Sequence, residues 1–168
     1  MKNFDFIKKL AEEIPAFHQL HAYCDKAEIF QKAFPEESAA NARKALEWLV
    51  KNHLAMANVT LAPHETLNNM LKRPQIDAFI NEDWEFEQNM RTVKKIGNYA
   101  AHTGAQQVKA NDAFICLRAL FYVATGFLYR WQAIRKMHAF DATLIPQDLT
   151  QIHASDNSEP TVSPDLTD

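Results

Sequence analysis

The sequence predicts an all-α helical bundle of about five to seven helices. Three observations carry that prediction. No segment alternates polar and apolar residues with period two over the length of a strand. Apolar residues recur instead at spacings of three and four through most of the first 137 positions. Glycine, at 3 of 168 residues, is too scarce for the positive-φ turns of hairpin-rich barrels and sandwiches, or for a glycine-rich phosphate loop.

The first helix is expected over residues 3–13, with Phe4, Ile7, Leu10 and Ala11 on one face. Pro15 interrupts it and is expected in the first turn of the next helix. That helix runs over 16–33 on Phe17, Leu20, Tyr23, Cys24, Ala27 and Phe30, until Phe34-Pro35 breaks the pattern. A third helix is expected over 36–57. Ala39, Ala42, Leu46, Leu49, Val50 and Leu54 form its stripe, and Glu36 and Glu37 sit where the helix dipole favours acids. After a loop, residues 64–72 and 75–80 read as two short helices split by Pro74. A long helix follows over 82–102, ended by Thr103-Gly104 as a C-terminal cap. The last, over 110–137, carries Leu117, Leu120, Phe121, Ala124, Phe127, Trp131 and Ile134 around most of its circumference, which places it centrally. Its polar stripe is narrow: Arg118, Tyr122, Thr125, Tyr129, Gln132 and Lys136.

Periodicity stops at Asp141, so the chain divides into a helical body, 1–140, and a disordered acidic tail or linker containing Ser, Thr and Pro, 141–168. All 18 Lys and Arg lie at or before Lys136, whereas 141–168 carries six acids and no Lys or Arg. The body, with 18 basic against 15 acidic residues, is mildly basic and well short of a strong nucleic-acid signature. No uninterrupted apolar run has the length of a membrane span, and Met1 to Asp5 open no signal-peptide core. Cys24 and Cys116 form no CxxC pair, so a reducing cytoplasm fits, with both thiols buried as small hydrophobes. His18 and His21 lie three apart without a clear carboxylate partner and read as a surface pair. No metal site and no cofactor is expected.

The 82–102 helix carries the candidate site. Phe86, Met90, Val93, Gly97 and Ala100 mark one side, and Gln88, Arg91, Lys95, Asn98 and His102 run along the other. Gly97 costs about 1 kcal/mol relative to Ala at mid-helix, which points to a close approach by another helix beside Asn98. Asn98 and His102, with Arg91 or Lys95 as the cation, would make a polar binding site, and a histidine there can serve as general acid or base. A solvated face ending in a dipole-paired histidine is the plainer alternative. Arg43 and Glu47, at i and i+4 on the third helix, read as a structural ion pair that becomes functional only if it faces Asn98 and His102.

The block Ile96-Gly97-Asn98-Tyr99-Ala100-Ala101-His102 resembles the signature of a family of unknown function within the HEPN superfamily. That family is known mainly as the N-terminal helical domain of type I restriction enzyme R (motor) subunits and related defence helicases. Ala42 to Lys51, containing Arg43 and Glu47, resembles an earlier helix of the same family. The resemblance covers roughly residues 4–135. It implies a HEPN-like bundle that pairs as a homodimer. In the wider superfamily it also implies metal-independent endoribonucleases, in which an Arg holds the phosphate and a His moves protons for attack by a 2′-hydroxyl. Here His102 and Asn98 match the histidine and the polar residue, but Gly97 stands where the Arg is expected; Lys95 could replace it, with six residues before His102. A lysine offers a point charge rather than a bidentate fork. The expectation is therefore a helical interaction and dimerisation module of a prokaryotic or phage-related, restriction-type defence system, without robust catalysis. The alternatives are an endoribonuclease using His102, Asn98 and Lys95, and a structural adaptor whose histidine face binds protein. Expected partners are a second copy of the chain and a protein of a defence complex, with RNA or DNA weakly supported and no membrane.

Overall fold

Turn-forming residues divide the chain where proline, asparagine and aspartate allow. The computed structural model describes residues 1–101 and 107–147. They form α1 (Asp5–Glu13), α2 (Phe17–Ile29), α3 (Pro35–Met56), α4 (Leu67–Leu71), α5 (Pro74–Ile80), α6 (Trp84–Ala101), α7 (Ala110–Arg130) and a 3-10 turn (Ala142–Leu144), with no strand among them. The protein is an all-helical bundle. Pro35 and Pro74 open α3 and α5 at positions where their missing N–H groups have no intrahelical role. Pro15 instead lies two residues before α2. Asp83, expected inside the sixth helix, caps it: its Oδ1 accepts from the Phe86 amide at 3.1 Å.

α3 is the hub. It packs on α2, α6 and α7, and α6 and α7 pack on each other, while α1 lies against α2. The expected stripes supply the core: Ile7, Leu20, Leu46, Leu49, Leu54, Leu117 and Phe121 are all fully buried. α7 meets the length and hydropathy of a membrane span, but two-thirds of that stretch is buried within the bundle, which accounts for its apolarity. Thr125, read as part of the polar stripe of α7, is buried as well. Its hydroxyl donates to the Phe121 and Tyr122 carbonyls at 3.0 and 3.1 Å, which satisfies it without a solvent-facing position.

α7 ends at Arg130, seven residues before the apolar spacing suggests. Gln132 turns left-handed at φ 61°, its amide donates to the Tyr129 carbonyl at 3.0 Å, and the Ala133 amide donates to the Leu128 carbonyl at 2.8 Å. This is a Schellman stop built without glycine. Trp131 still packs on the core and donates from Nε1 to His53 Nδ1 at 3.0 Å.

The segment 141–147 packs on the body. The Asn3 side chain pairs with Asp141 as one peptide group pairs with another. Its Nδ2 donates to the Asp141 carbonyl at 2.9 Å, and its Oδ1 accepts from the Asp141 amide at 2.8 Å. The Asn3 amide also donates to the buried Glu28 carboxyl at 3.1 Å, and Nδ2 does so at 2.5 Å. Ile145 is buried beyond this clasp. Thr103-Gly104 and 148–168 lie outside the described residues.

Candidate functional site: the α3–α6 seam and the groove beside it

Gly97 is the point at which α3 and α6 touch. A Cβ placed on it would lie 2.5 Å from Arg43 Cβ and 3.2 Å from the Ala39 carbonyl oxygen. The close approach expected from a mid-helix glycine is thus made by α3 of the same chain. It brings Arg43 over the neighbouring residue of α6, where its Nε donates to Asn98 Oδ1 at 2.8 Å. Arg43 Nη1 lies 3.6 Å from Glu47 Oε2, and Lys51 Nζ lies 3.1 Å from Glu47 Oε1. A line of alternating charges therefore runs down α3 and ends on the Asn98 amide. Arg43 and Glu47 are half-buried, so each ion pair contributes only a few tenths of a kcal/mol, about what exposed i,i+4 pairs give. The hydrogen bond does more: it fixes the Asn98 rotamer and holds the two helices in register.

On the other side of Asn98, α6 forms one wall of a groove of about 560 Å³. Met90, Arg91, Lys94, Lys95, Asn98 and Tyr99 line that wall, as the three-and-four spacing of a helix face dictates. Leu71, Lys72, Asp77 and Ile80 line the facing side. A bidentate pair sets that side: Arg73 donates to both carboxylate oxygens of Glu65, with Nε–Oε2 at 2.9 Å. The Arg73 hydrogen bond holds the Glu65 carboxyl below its ordinary range.

The expected site residues separate in this geometry. Asn98 lies at the seam and also lines the groove. Lys95 is exposed in the groove and has no ion-pair or hydrogen-bond partner among the described residues. Arg91 is exposed but bound to Glu87, with Nη2–Oε1 at 2.7 Å, one turn back on its own helix. His102 lies outside the described residues. Arg43 faces Asn98, the condition under which it was expected to become functional, and it is the one arginine hydrogen-bonded to Asn98 among the described residues. The facing-wall Lys72 was not anticipated, because nothing in the spacing of one short helix says which long helix it will oppose.

The remaining candidates are inert. Cys24 and Cys116 are buried, and burial pushes both thiols up, that of Cys116 to about 12, so neither is poised as a nucleophile. His18 is exposed, but its expected surface partner His21 is half-buried, and burial lowers its basicity. The cause is the turn of α2 towards α1, which covers the His21 ring and leaves His18 outside. Among the described residues no three His, Cys, Asp or Glu side chains gather as metal ligands.

The chain matches no protein family, no curated protein and no solved structure.

Proposed function

We propose that the chain is a HEPN-like interaction and dimerisation module of a prokaryotic or phage-related, restriction-type defence system, acting in the cytoplasm without robust catalysis. One observation carries the reading. The two sequence blocks that bear the resemblance, more than forty residues apart, lie on α3 and, as far as Ala101, on α6, and are joined by the Arg43–Asn98 hydrogen bond. The same bond argues for a structural site. Arg43 uses Nε on Asn98 and sets Nη1 against Glu47, so its fork is engaged before any phosphate arrives.

The test incubates the purified chain with RNA, with and without chelator, beside His102→Ala, and measures mass by light scattering. The expected result is no cleavage by either protein and a dimer at tens of micromolar. Cleavage by the wild type that is lost in His102→Ala overturns the non-catalytic reading, and a monomer overturns dimerisation.

One observation favours the second reading, a metal-independent endoribonuclease. Arg43 supplies beside Asn98 the arginine that α6 itself lacks. In that reading His102 removes the 2′-hydroxyl proton and returns a proton to the leaving 5′ oxygen. Arg43, rather than Lys95, then holds the phosphate through its Nη groups, giving up the 3.6 Å contact with Glu47 while Nε stays on Asn98. Cleavage that survives Lys95→Ala but not Arg43→Lys would identify it.

A further inference from the structure

We propose that the groove between α4–α5 and α6 is a docking site for the acidic segment 148–168 of this same chain. The segment places Asp148, Asp156, Glu159, Asp165 and Asp168 among 21 residues that include no Lys or Arg. The groove offers Lys72, Arg91, Lys94 and Lys95 against Asp77 and Glu87. Of these cations Arg91 is held by Glu87, and Lys94 donates to Asn68 Oδ1 at 3.1 Å. Lys72 and Lys95, both exposed on opposite walls, have no partner among the described residues. Elsewhere on the body Lys2 pairs with Asp25 at 2.8 Å, Lys51 with Glu47, Arg130 with Asp83 at 2.8 Å, and Lys32 with Gln147, whereas Lys9 and Lys44 are exposed without a partner among the described residues.

The apolar part of the lining decides between acidic ligands. Leu71 and Ile80 on one wall and Met90 on the other stand among the charged side chains. The segment intersperses its acids with Leu149, Ile152, Val162 and Leu166, so it offers both charge and apolar contact. A phosphodiester chain carries a charge at every unit and would meet Asp77 and Glu87 as well as the lysines. The mildly basic body lacks the broad cationic face such a polymer uses.

Reach is not limiting. Gln147 lies beside Ala110 and Asn111, at the start of α7, and α7 packs along α6. Twenty-one residues span up to about 70 Å when extended. A body of this size has a radius of gyration of about 15 Å. The docking is independent of the defence role, and the two fail in different experiments.

The test uses the full chain, isotopically labelled, with a spin label on Ser158→Cys; the two native cysteines are buried and do not take the label. Amide signals of Leu71, Lys72 and Lys94 to Tyr99 are expected to broaden at about 0.1 M salt. They should recover at about 1 M, where the Debye length falls from about 10 Å to about 3 Å. The double variant Lys72→Glu/Lys95→Glu, changed only at exposed positions, should fold and lose the broadening at low salt. Broadening that is absent at low salt, lies on another face or survives the charge reversal overturns the proposal. So does broadening that arises only between separate chains in a mixed sample. A fluorescent single-stranded oligonucleotide that binds through Lys95 while the groove signals stay sharp in its absence assigns the groove to nucleic acid instead.

Discussion

Replacing Gly97 with alanine sets two effects of opposite sign against each other. In an exposed helix the change gains about 1 kcal/mol of helix propensity. Here the added methyl would sit 2.5 Å from Arg43 Cβ and 3.2 Å from the Ala39 carbonyl. Neither neighbour is the free end of a flexible side chain, so α3 and α6 must part by about 1 Å to restore ordinary carbon contacts. Overpacking of this kind costs about 1–3 kcal/mol. The separation also stretches the 2.8 Å bond from Arg43 to Asn98, whose loss adds about 1 kcal/mol at a half-buried site. The net expectation is a loss of about 1–3 kcal/mol, or a fall in Tm of about 3–9 °C for a chain of this length. Urea denaturation with a thermal scan reads it, and a double-mutant cycle with Arg43→Gly should show coupling of about 1 kcal/mol or more. A Gly97→Ala protein more stable than wild type would refute the close-approach argument.

Asn3→Ala should cost about 2 kcal/mol, because the Asp141 amide and carbonyl and part of the Glu28 carboxyl lose their partner together. Hydrogen exchange should show the Asp141 amide losing protection while α6 and α7 keep theirs; unchanged protection at Asp141 would contradict the clasp. Burial raises the Glu28 carboxyl to about 7, against the opposing pull of the Asn3 hydrogen bonds. The folded state therefore binds the proton more tightly than the unfolded chain, whose carboxyl titrates near about 4.3. This contribution to stability is complete below about pH 4.3 and is lost as pH rises through 7. Urea midpoints of wild type and Glu28→Gln should diverge across that window, and parallel curves would show that Glu28 is not held this way.

The helices were legible because each long one repeats its apolar residues at three and four positions, and burial of Leu46, Leu49 and Leu54 on one face of α3 needs no knowledge of what covers them. Gly97 was legible as a contact for the same reason: a costly residue in a helix implies a neighbour. The neighbour's identity was not, since periodicity fixes the register within a helix and says nothing of which helix faces it. Along α6 alone Lys95 is the cation nearest the place of the missing arginine, whereas Arg43 reaches Asn98 from 55 positions away. The early end of α7 was hidden too, because Trp131 and Ile134 keep the apolar spacing while Gln132 takes a left-handed turn that its side chain does not advertise. Asn3 and Asp141, 138 positions apart, left no local trace at all.

That last contact makes the described body nearly a ring. A side-chain amide closes residue 3 onto residue 141 with a reciprocal pair of hydrogen bonds, so the two ends of the fold meet on the same side of α2. During synthesis the Glu28 half of the clasp can form once the second helix exists, but the other half waits until nearly the whole bundle has been made. Gln147, six residues beyond Asp141, has already turned away from the opening residues to lie against Lys32. A partner gripping the seam would therefore hold residue 3 and residue 141 at once, and with them the first helix and the segment that follows the last.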